Sequence, residues 1–487
     1  MNLYIVVVGV IVVVLLAVSV AQMRKVKTKA DYLVAGRSLP AYVLVFTLLA
    51  SWIGAGSLFA GAENAFRNGF AALWQPCGGW LGLLIIYFVA PRARKFAQFT
   101  IPDLLETRYN KTARVLGTIA ILFAYTAITS YQFRAGGDIM HLIFPSVAKD
   151  TGTIIIAGFV ILFTALAGMS SVAYMDVAIG LLISVIGFAA LPVLLSLVGG
   201  WSGLHAVLPA THFTLLGEWG RATPGGPQNT REALIKALEY FVPTFLLMIG
   251  NQSMYQKFFS AKSERAAKMA VAGWFVGTGL LETLIVTVAV IGSALYQMHP
   301  GAALNPREII PYTARNYLPP VMGALLMGAV FAKVISTANN YLFSPATNLI
   351  NDVYTRFLNP KASQKNVLFV SRILVIALGG WALYQGLRLE SVLAKAMYAY
   401  TIYSAAITPV VMAAFFWKRA TAKAAVVSIA CGTAMTVFWD QGRSLLGPLA
   451  ERDAIFPALI ASLVSLVVVS LFTAAPRQDQ LFEDQRS

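Results

Sequence analysis

Two charged residues stand deep inside long apolar runs. Lys333 lies about 14 residues into one run, and Glu282 sits at a similar depth in another. A charge at mid-membrane costs at least about 2.5–3.5 kcal/mol on insertion scales, and such residues are functional by default. Lys333 is too far from either end of its run for its ammonium to reach water readily. Two other stretches interrupt apolar runs with small and polar residues. One reads Ala50-Ser51-Trp52-Ile53-Gly54-Ala55-Gly56-Ser57; the other is Ile249-Gly250-Asn251-Gln252, shortly after Pro243. Glycine and small polar residues weaken a helical ladder, and the carbonyls and amides released there can hold ions and polar solutes. The chemistry indicated is binding rather than bond-making. Glu282 is either the partner of Lys333 or a counter-ion for a cationic solute, and the sequence leaves both open. Glu63 and Glu239, near helix ends, read as interfacial and solvated.

The elements that must position these residues are membrane helices. Thirteen apolar segments can be placed, roughly 3–22, 40–66, 70–91, 114–140, 152–168, 172–198, 236–256, 267–295, 319–348, 366–387, 391–416, 421–439 and 455–474. They are far longer than the 9–11 residues of a barrel strand and do not alternate. Backbone groups in lipid must be satisfied within the segment, so the segments are helices. The two interruptions fall in the second and seventh spans, five apart. Either one alone is equally well read as close packing through small residues. Together they indicate a five-plus-five inverted repeat with two discontinuous helices. The expected organisation is a leading helix and loop (1–39), a first repeat (40–198), an outer loop (199–235) rich in Gly, Pro, Thr and His, a second repeat (236–417), and two accessory helices with a tail (418–487).

Composition agrees. The 487 residues are 58% hydrophobic and 12% charged, with mean hydropathy +0.71. Soluble domains carry about 25% charged residues. The net charge of +16 comes from cations in short loops between apolar segments, which argues for a membrane protein rather than a nucleic-acid binder. The first run precedes its charges, at Arg24, Lys25, Lys27 and Lys29, opposite to a cleavable signal. Thirteen spans with the N-terminus outside put 24 of the 37 Lys and Arg in inner segments, counting Lys257, and the C-terminus inside. Cys77 and Cys431 lie in apolar segments, so neither a disulfide framework nor a cysteine metal cluster is expected.

Five motifs resemble the sodium:solute symporter family, which includes sodium/proline, sodium/glucose, pantothenate and choline carriers. They are Asp31-Tyr32-Leu33-Val34-Ala35-Gly36-Arg37; Thr100-Ile101-Pro102-Asp103-Leu104-Leu105-Glu106-Thr107-Arg108-Tyr109; Gly168-Met169 through Asp176; Asn251-Gln252 with Gln256-Lys257 and Ala261-Lys262-Ser263; and Trp417-Lys418-Arg419-Ala420-Thr421. The resemblance spans residues 30 to about 435 and implies ten core helices in two inverted repeats, with one helix before and two after.

It also implies ion ligands. The carbonyls of Ala50 and Ile53 and the hydroxyls of Ser336 and Thr337 match the principal sodium site, and oxygen donors suit a hard cation. The remaining carbonyl comes from a position that is small in the family and is Lys333 here. Positions 333, 336 and 337 share a helical face. Two readings stay open: the ammonium substitutes for sodium, with proton coupling as one version, or only the Lys333 carbonyl binds sodium. For a second sodium site the resemblance implies Asp176, with Asn339 and Asn340 where the family has hydroxyls; Asp176 as a bridge to inner-end cations is the other reading.

For the solute, Trp52 resembles the choline-type branch, whose tryptophan makes cation–π contact. The opposing aromatic is Asn251 here, which suits a carboxylate, hydroxyl or amide better. Gly54, Gln75, Tyr131, Gln132, Gln252, Tyr400 and Thr401 complete the candidates at the midplane. The expected function is a cation-coupled symporter that imports a small polar organic solute by alternating access. It is expected to act as a monomer in a bacterial inner membrane, with sodium as coupling ion and no other cofactor. Alternatives are a sodium-independent or proton-coupled carrier and a membrane sensor on the same fold. A channel lacks a filter repeat, and an enzyme would need clustered acid/base or metal groups, whereas the carboxylates are dispersed.

Overall fold

A computed structural model describes residues 3–23, 28–96, 99–166, 169–223, 226–300 and 304–477. Among these residues there is no β-strand, only helices joined by turns and loops. We number the longer helices α1 (Leu3–Met23), α2 (Ala41–Trp52), α3 (Trp74–Phe96), α4 (Lys111–Ile143), α5 (Lys149–Leu166), α6 (Met169–Leu197), α7 (Thr230–Gly250), α8 (Gln252–Ser260), α9 (Glu264–Met298), α10 (Pro320–Asn348), α11 (Gln364–Leu387), α12 (Val392–Ala406), α13 (Thr408–Phe416), α14 (Ala422–Gln441) and α15 (Ile455–Phe472). Arg24, Lys25, Lys27 and Gly168 lie outside the described residues.

Among the described residues eleven helices are long and apolar enough to cross a membrane; α1 and α2 are apolar as well, and α2, at 12 residues, is shorter than a span. The expected count of thirteen is not established by helix length alone. The second expected span is the clearest case, because its break cuts α2 off at Trp52. The expected span 391–416 is interrupted at Ile407, between α12 and α13, but at 25 residues it still counts as one crossing.

Both expected breaks are present. After α2, Ile53 turns extended (φ −80°, ψ 113°), and the chain resumes as a wide-turned helix at Gly56–Gly61 followed by Ala62–Asn68. After α7, Asn251 is extended (φ −66°, ψ 115°) and caps α8 through its side chain. Backbone groups freed at a break must find new partners. Ala55 N donates to Gln132 Oε1 at 2.8 Å. At the other break Gln252 N donates to the Tyr403 hydroxyl at 2.8 Å, and Ser253 N to the Tyr125 hydroxyl at 3.0 Å.

Helix α10 is the axis of the assembly. It packs against α1, α4, α5 and α6, and its described residues from Gly323 onward are almost all buried. Outer helices instead present apolar side chains outward, as Ile373 and Ile376 do on α11 and Leu471 and Phe472 on α15, which fits lipid as the solvent. The loop expected at 199–235 folds over one end of the bundle. Its short helix Gly200–Val207 packs on α6 and α9, and Leu215 O accepts from Trp74 Nε1 at 2.8 Å. Inner-loop accounting needs one correction: Lys257 is fully buried on α8 rather than in a loop. It lies one and a half turns past the second break, which keeps it within the bundle.

Candidate functional site

The first break separates two polar clusters. On one side, the Thr337 hydroxyl of α10 lies 2.9 Å from Ala50 O, 3.0 Å from Ile53 O and 2.9 Å from Lys333 O. The break creates this convergence. A continuous α2 would have used the Ala50 and Ile53 carbonyls within its own ladder, whereas Ile53–Ala55 leave it. Gly54 permits the approach, because a Cβ there would sit 2.6 Å from the Thr337 side chain. One hydroxyl carries one proton and can donate to one carbonyl at a time. Three acceptors and one donor, all buried, make a group of oxygens suited to a small hard cation.

Ser336, expected beside Thr337, points elsewhere. Its hydroxyl donates to Asp176 Oδ1, while Thr47 Oγ1 donates to Asp176 Oδ2 at 2.5 Å. Asn340 Nδ2 reaches the same Oδ2 at 3.3 Å, and Asn340 Oδ1 accepts from Lys257 Nζ at 2.8 Å. Asn339 faces away and accepts from Thr164 on α5 at 2.7 Å. A helix rotates about 100° per residue, so adjacent asparagines cannot serve the same carboxylate. The Lys333 carbonyl belongs to the first cluster. Its ammonium is fully buried and has no hydrogen-bond partner among the described residues. Glu282 and Lys333 are thus not a pair.

On the other side of the break, Glu282 of α9 is 4% exposed. Trp52 Nε1 and Ser57 Oγ donate to its Oε1, both at 3.0 Å, and Trp80 Nε1 donates to Oε2 at 3.2 Å. These donors are neutral, so the carboxylate has hydrogen bonds but, among the described residues, no cation beside it. It lines a cavity of about 20 Å³ with Trp52, Ser57, Gln75, Thr244 and Tyr400. Gln75 Oε1 is buried there without a partner. Tyr131 stands behind Tyr400, their hydroxyls hydrogen-bonded. The volume suits about one water molecule, so an organic solute requires the helices to part.

Asn251 and Gln252 are not in this cavity. Asn251 Oδ1 accepts from the Tyr125 hydroxyl at 2.6 Å, and its Nδ2 donates to the Tyr341 hydroxyl at 3.1 Å. Gln252 Oε1 accepts from Ile101 N at 2.5 Å, tying the second break to the short helix Ile101–Arg108. Thr401 turns outward to Asp453, donating to its Oδ1 at 3.2 Å. Sequence reasoning missed Thr47, Ser57, Trp80, Thr244 and Lys257. Lys257 carried a legible signal, since Ser253 and Lys257 are one turn apart on a helix that starts at a break. The others are single polar residues whose partners lie on distant segments.

Comparison with known proteins agrees with this architecture. A Na⁺-coupled sialic acid symporter, solved in a substrate-bound outward-open state, superposes with TM-score 0.81 at 18% identity, covering 98% of this chain and 99% of that one. Mhp1, a nucleobase-cation-symport-1 family transporter in a closed conformation, gives 0.61 at 13% identity over 93% and 98%. These likenesses concern the fold. In sequence, the high-affinity proline transporter PutP of Bacillus subtilis (strain 168) is 26% identical over 93% of this chain and 95% of its own length. A sodium/proline symporter of Staphylococcus aureus is 25% identical over 92% and 88%. The model of the sodium:solute symporter family matches residues 32–432. This multi-pass membrane chain belongs to the sodium:solute symporter family and is a cation-coupled symporter.

Proposed function

We propose that the chain imports a small solute bearing a positively charged nitrogen, bound between Trp52 and Tyr400 and facing Glu282. The observation that carries this reading is the Glu282 carboxylate, buried, held by three neutral donors and lining the cavity. A buried carboxylate without a cation is costly, and an incoming ammonium offsets that cost. Flanking aromatic faces add cation–π attraction. Gln75 and Thr244 supply an amide and a hydroxyl for the solute's polar remainder. Proline, carried by the similar proteins of Bacillus and Staphylococcus, has such a nitrogen.

The driving ion in this reading is sodium, held by the carbonyls of Ala50, Ile53 and Lys333 with the Thr337 hydroxyl. Support comes from the oxygen-only donor set and from relatives named as sodium symporters. Coupling has a simple geometric basis, since residues 52–57 line both the ion cluster and the solute cavity. Sodium that draws the Ala50 and Ile53 carbonyls inward also sets Trp52 and Ser57 against Glu282. The two repeats, 40–198 and 236–417, rock about this shared break. The monomer acts in the plasma membrane with its N-terminus outside and its C-terminus in the cytoplasm, in keeping with the charge bias of the loops.

The test uses protein in proteoliposomes or detergent with sodium present, and proline, other amino acids and N-acetylproline as probes. Proline or another solute with a charged nitrogen should raise the melting temperature and be taken up. N-acetylproline, which lacks that charge, should do neither. Glu282→Gln should weaken binding of the active solute at least tenfold, about 1.4 kcal/mol. Equal binding of charged and acylated solutes, or an unchanged Glu282→Gln variant, sinks the reading.

A further inference from the structure

Helix α1 packs on α6 and α10. Toward α5 and the end of α4 it leaves a groove of about 380 Å³ walled by apolar side chains: Ile5 and Val13 beside Gly9 on α1, Phe144 beyond α4, Ile155 on α5, and Phe331 and Ile335 on α10. A Cβ on Gly9 would meet nothing within 4 Å. Val13 and Ile155 are 65% and 48% exposed, so the groove opens sideways between α1 and α5. Around membrane-spanning helices, what lies there is lipid hydrocarbon. The groove starts at helix ends, beside Ile5 and Phe144, and reaches Phe331 and Ile335, about 16 and 22 Å along α10 from Pro320 at 1.5 Å per residue. That is near the middle of a hydrocarbon core about 30 Å thick, so the groove runs the depth of one leaflet.

A charge stands at the shallow end. Arg315, on the short helix Ile309–Asn316, donates from Nη1 to Leu142 O, next to the groove wall, and its own carbonyl accepts from the Tyr4 hydroxyl at 3.2 Å, next to Ile5. Its side chain is partly exposed and carries five N–H donors. At this end of the bundle Asp138, Asp150 and Glu308 pair with Arg307, Arg134 and Lys149, and Arg315 has no ion pair among the described residues. A guanidinium fork matches the oxygens of a phosphate. We infer that the groove is a phospholipid site: one acyl chain lies in it along α1, and Arg315 holds the headgroup phosphate at its shallow end. Phe331 and Ile335 are each about 200° around α10 from Lys333 and Thr337, so the chain backs α10 on the side away from the carbonyl cluster. The inference depends on neither the solute nor the driving ion.

Native mass spectrometry of the purified full-length chain, stripped of lipid and titrated with dioleoyl phosphatidylglycerol, tests the site. The wild type should retain one lipid per chain at concentrations where dioleoylglycerol, with the same chains and no phosphate, does not bind. Glycerophosphate, a headgroup without chains, should not compete. Gly9→Phe puts a ring into the open groove and should abolish this first binding event. Arg315→Gln keeps a donor for Leu142 O, removes the charge, and should weaken binding at least fivefold; melting curves establish that both variants fold. A wild type that retains no lipid, equal retention of dioleoylglycerol, full competition by glycerophosphate, or a folded Gly9→Phe with wild-type retention overturns the inference. Unchanged affinity in Arg315→Gln overturns it independently of Gly9→Phe. A lipid-free dimer that Gly9→Phe converts to monomer also overturns it, because a second copy is then the occupant.

Discussion

Replacing Thr337 with valine is the sharpest probe of the ion cluster, because it exchanges one oxygen for a methyl of similar size. In the native structure that oxygen lies within 3.0 Å of the Ala50, Ile53 and Lys333 carbonyls. The Lys333 carbonyl is inside helix α10, whereas those of Ala50 and Ile53 are released by the break and depend on Thr337 or on a cation. Valine leaves them with neither, and because the single hydroxyl proton served one carbonyl at a time, the cost is that of one lost hydrogen bond, about 1–3 kcal/mol. The sodium-free protein should therefore melt earlier. Sodium should bind more weakly too, since one ligand is gone; a loss of about 1.4 kcal/mol is tenfold in affinity. At sodium one hundred times the native Kd, ligand stabilisation is about 2.7 kcal/mol, and a tenfold weaker site retains about 1.4. The assay is a melting curve at stepped sodium concentrations with constant ionic strength. Thr337→Ser, which keeps the hydroxyl, should restore the native midpoint. The reasoning is refuted if Thr337→Val shows the wild-type sodium midpoint, or if serine behaves like valine.

Gly54→Ala should lower stability by about 1–3 kcal/mol, the usual cost of overpacking. Its Cβ would sit 2.6 Å from the Thr337 side chain. The same variant should weaken sodium binding, read from the same melting curves. Asp453, at the end of the bundle beside Glu239, gives a pH effect. Burial pushes its carboxyl up to about 6; the Ile455 N–H opposes this and the charge of Glu239 adds to it. A carboxyl with a raised pKa binds its proton more tightly in the folded state, so this group's contribution to stability falls as pH rises from about 4 to about 6. Asp453→Asn should flatten melting temperature against pH across that window; an unchanged slope would show that Asp453 does not titrate there.

Much of the architecture was legible because lipid restricts the options. A chain with apolar runs this long has to satisfy its backbone within helices. Small and polar residues at 50–57 and 249–252 mark the places where the ladder fails, and the structure breaks at both. The number of spans was less legible, because a break makes one apolar run into two shorter helices, as at Ile53. Individual side chains were legible in type but not in partner. Trp52, Gln75, Glu282 and Tyr400 line one cavity, yet Asn251 and Gln252, equally plausible at a break, are taken up by tyrosines and by Ile101 N.

The sequence by itself determined that this is a helical membrane carrier with two interrupted helices, and that Lys333, Glu282 and Asp176 must be explained. Periodicity, hydropathy and the cost of a buried charge are local properties that a single chain displays. Only the tertiary structure decided which charges meet. Lys333 and Glu282 lie at similar depths on helices α10 and α9, but depth is one coordinate and pairing needs three. Rotation about each helix axis turns Glu282 toward Trp52, Ser57 and Trp80, while the Lys333 ammonium meets no hydrogen-bond partner among the described residues. That rotation is set by the packing of every neighbouring helix.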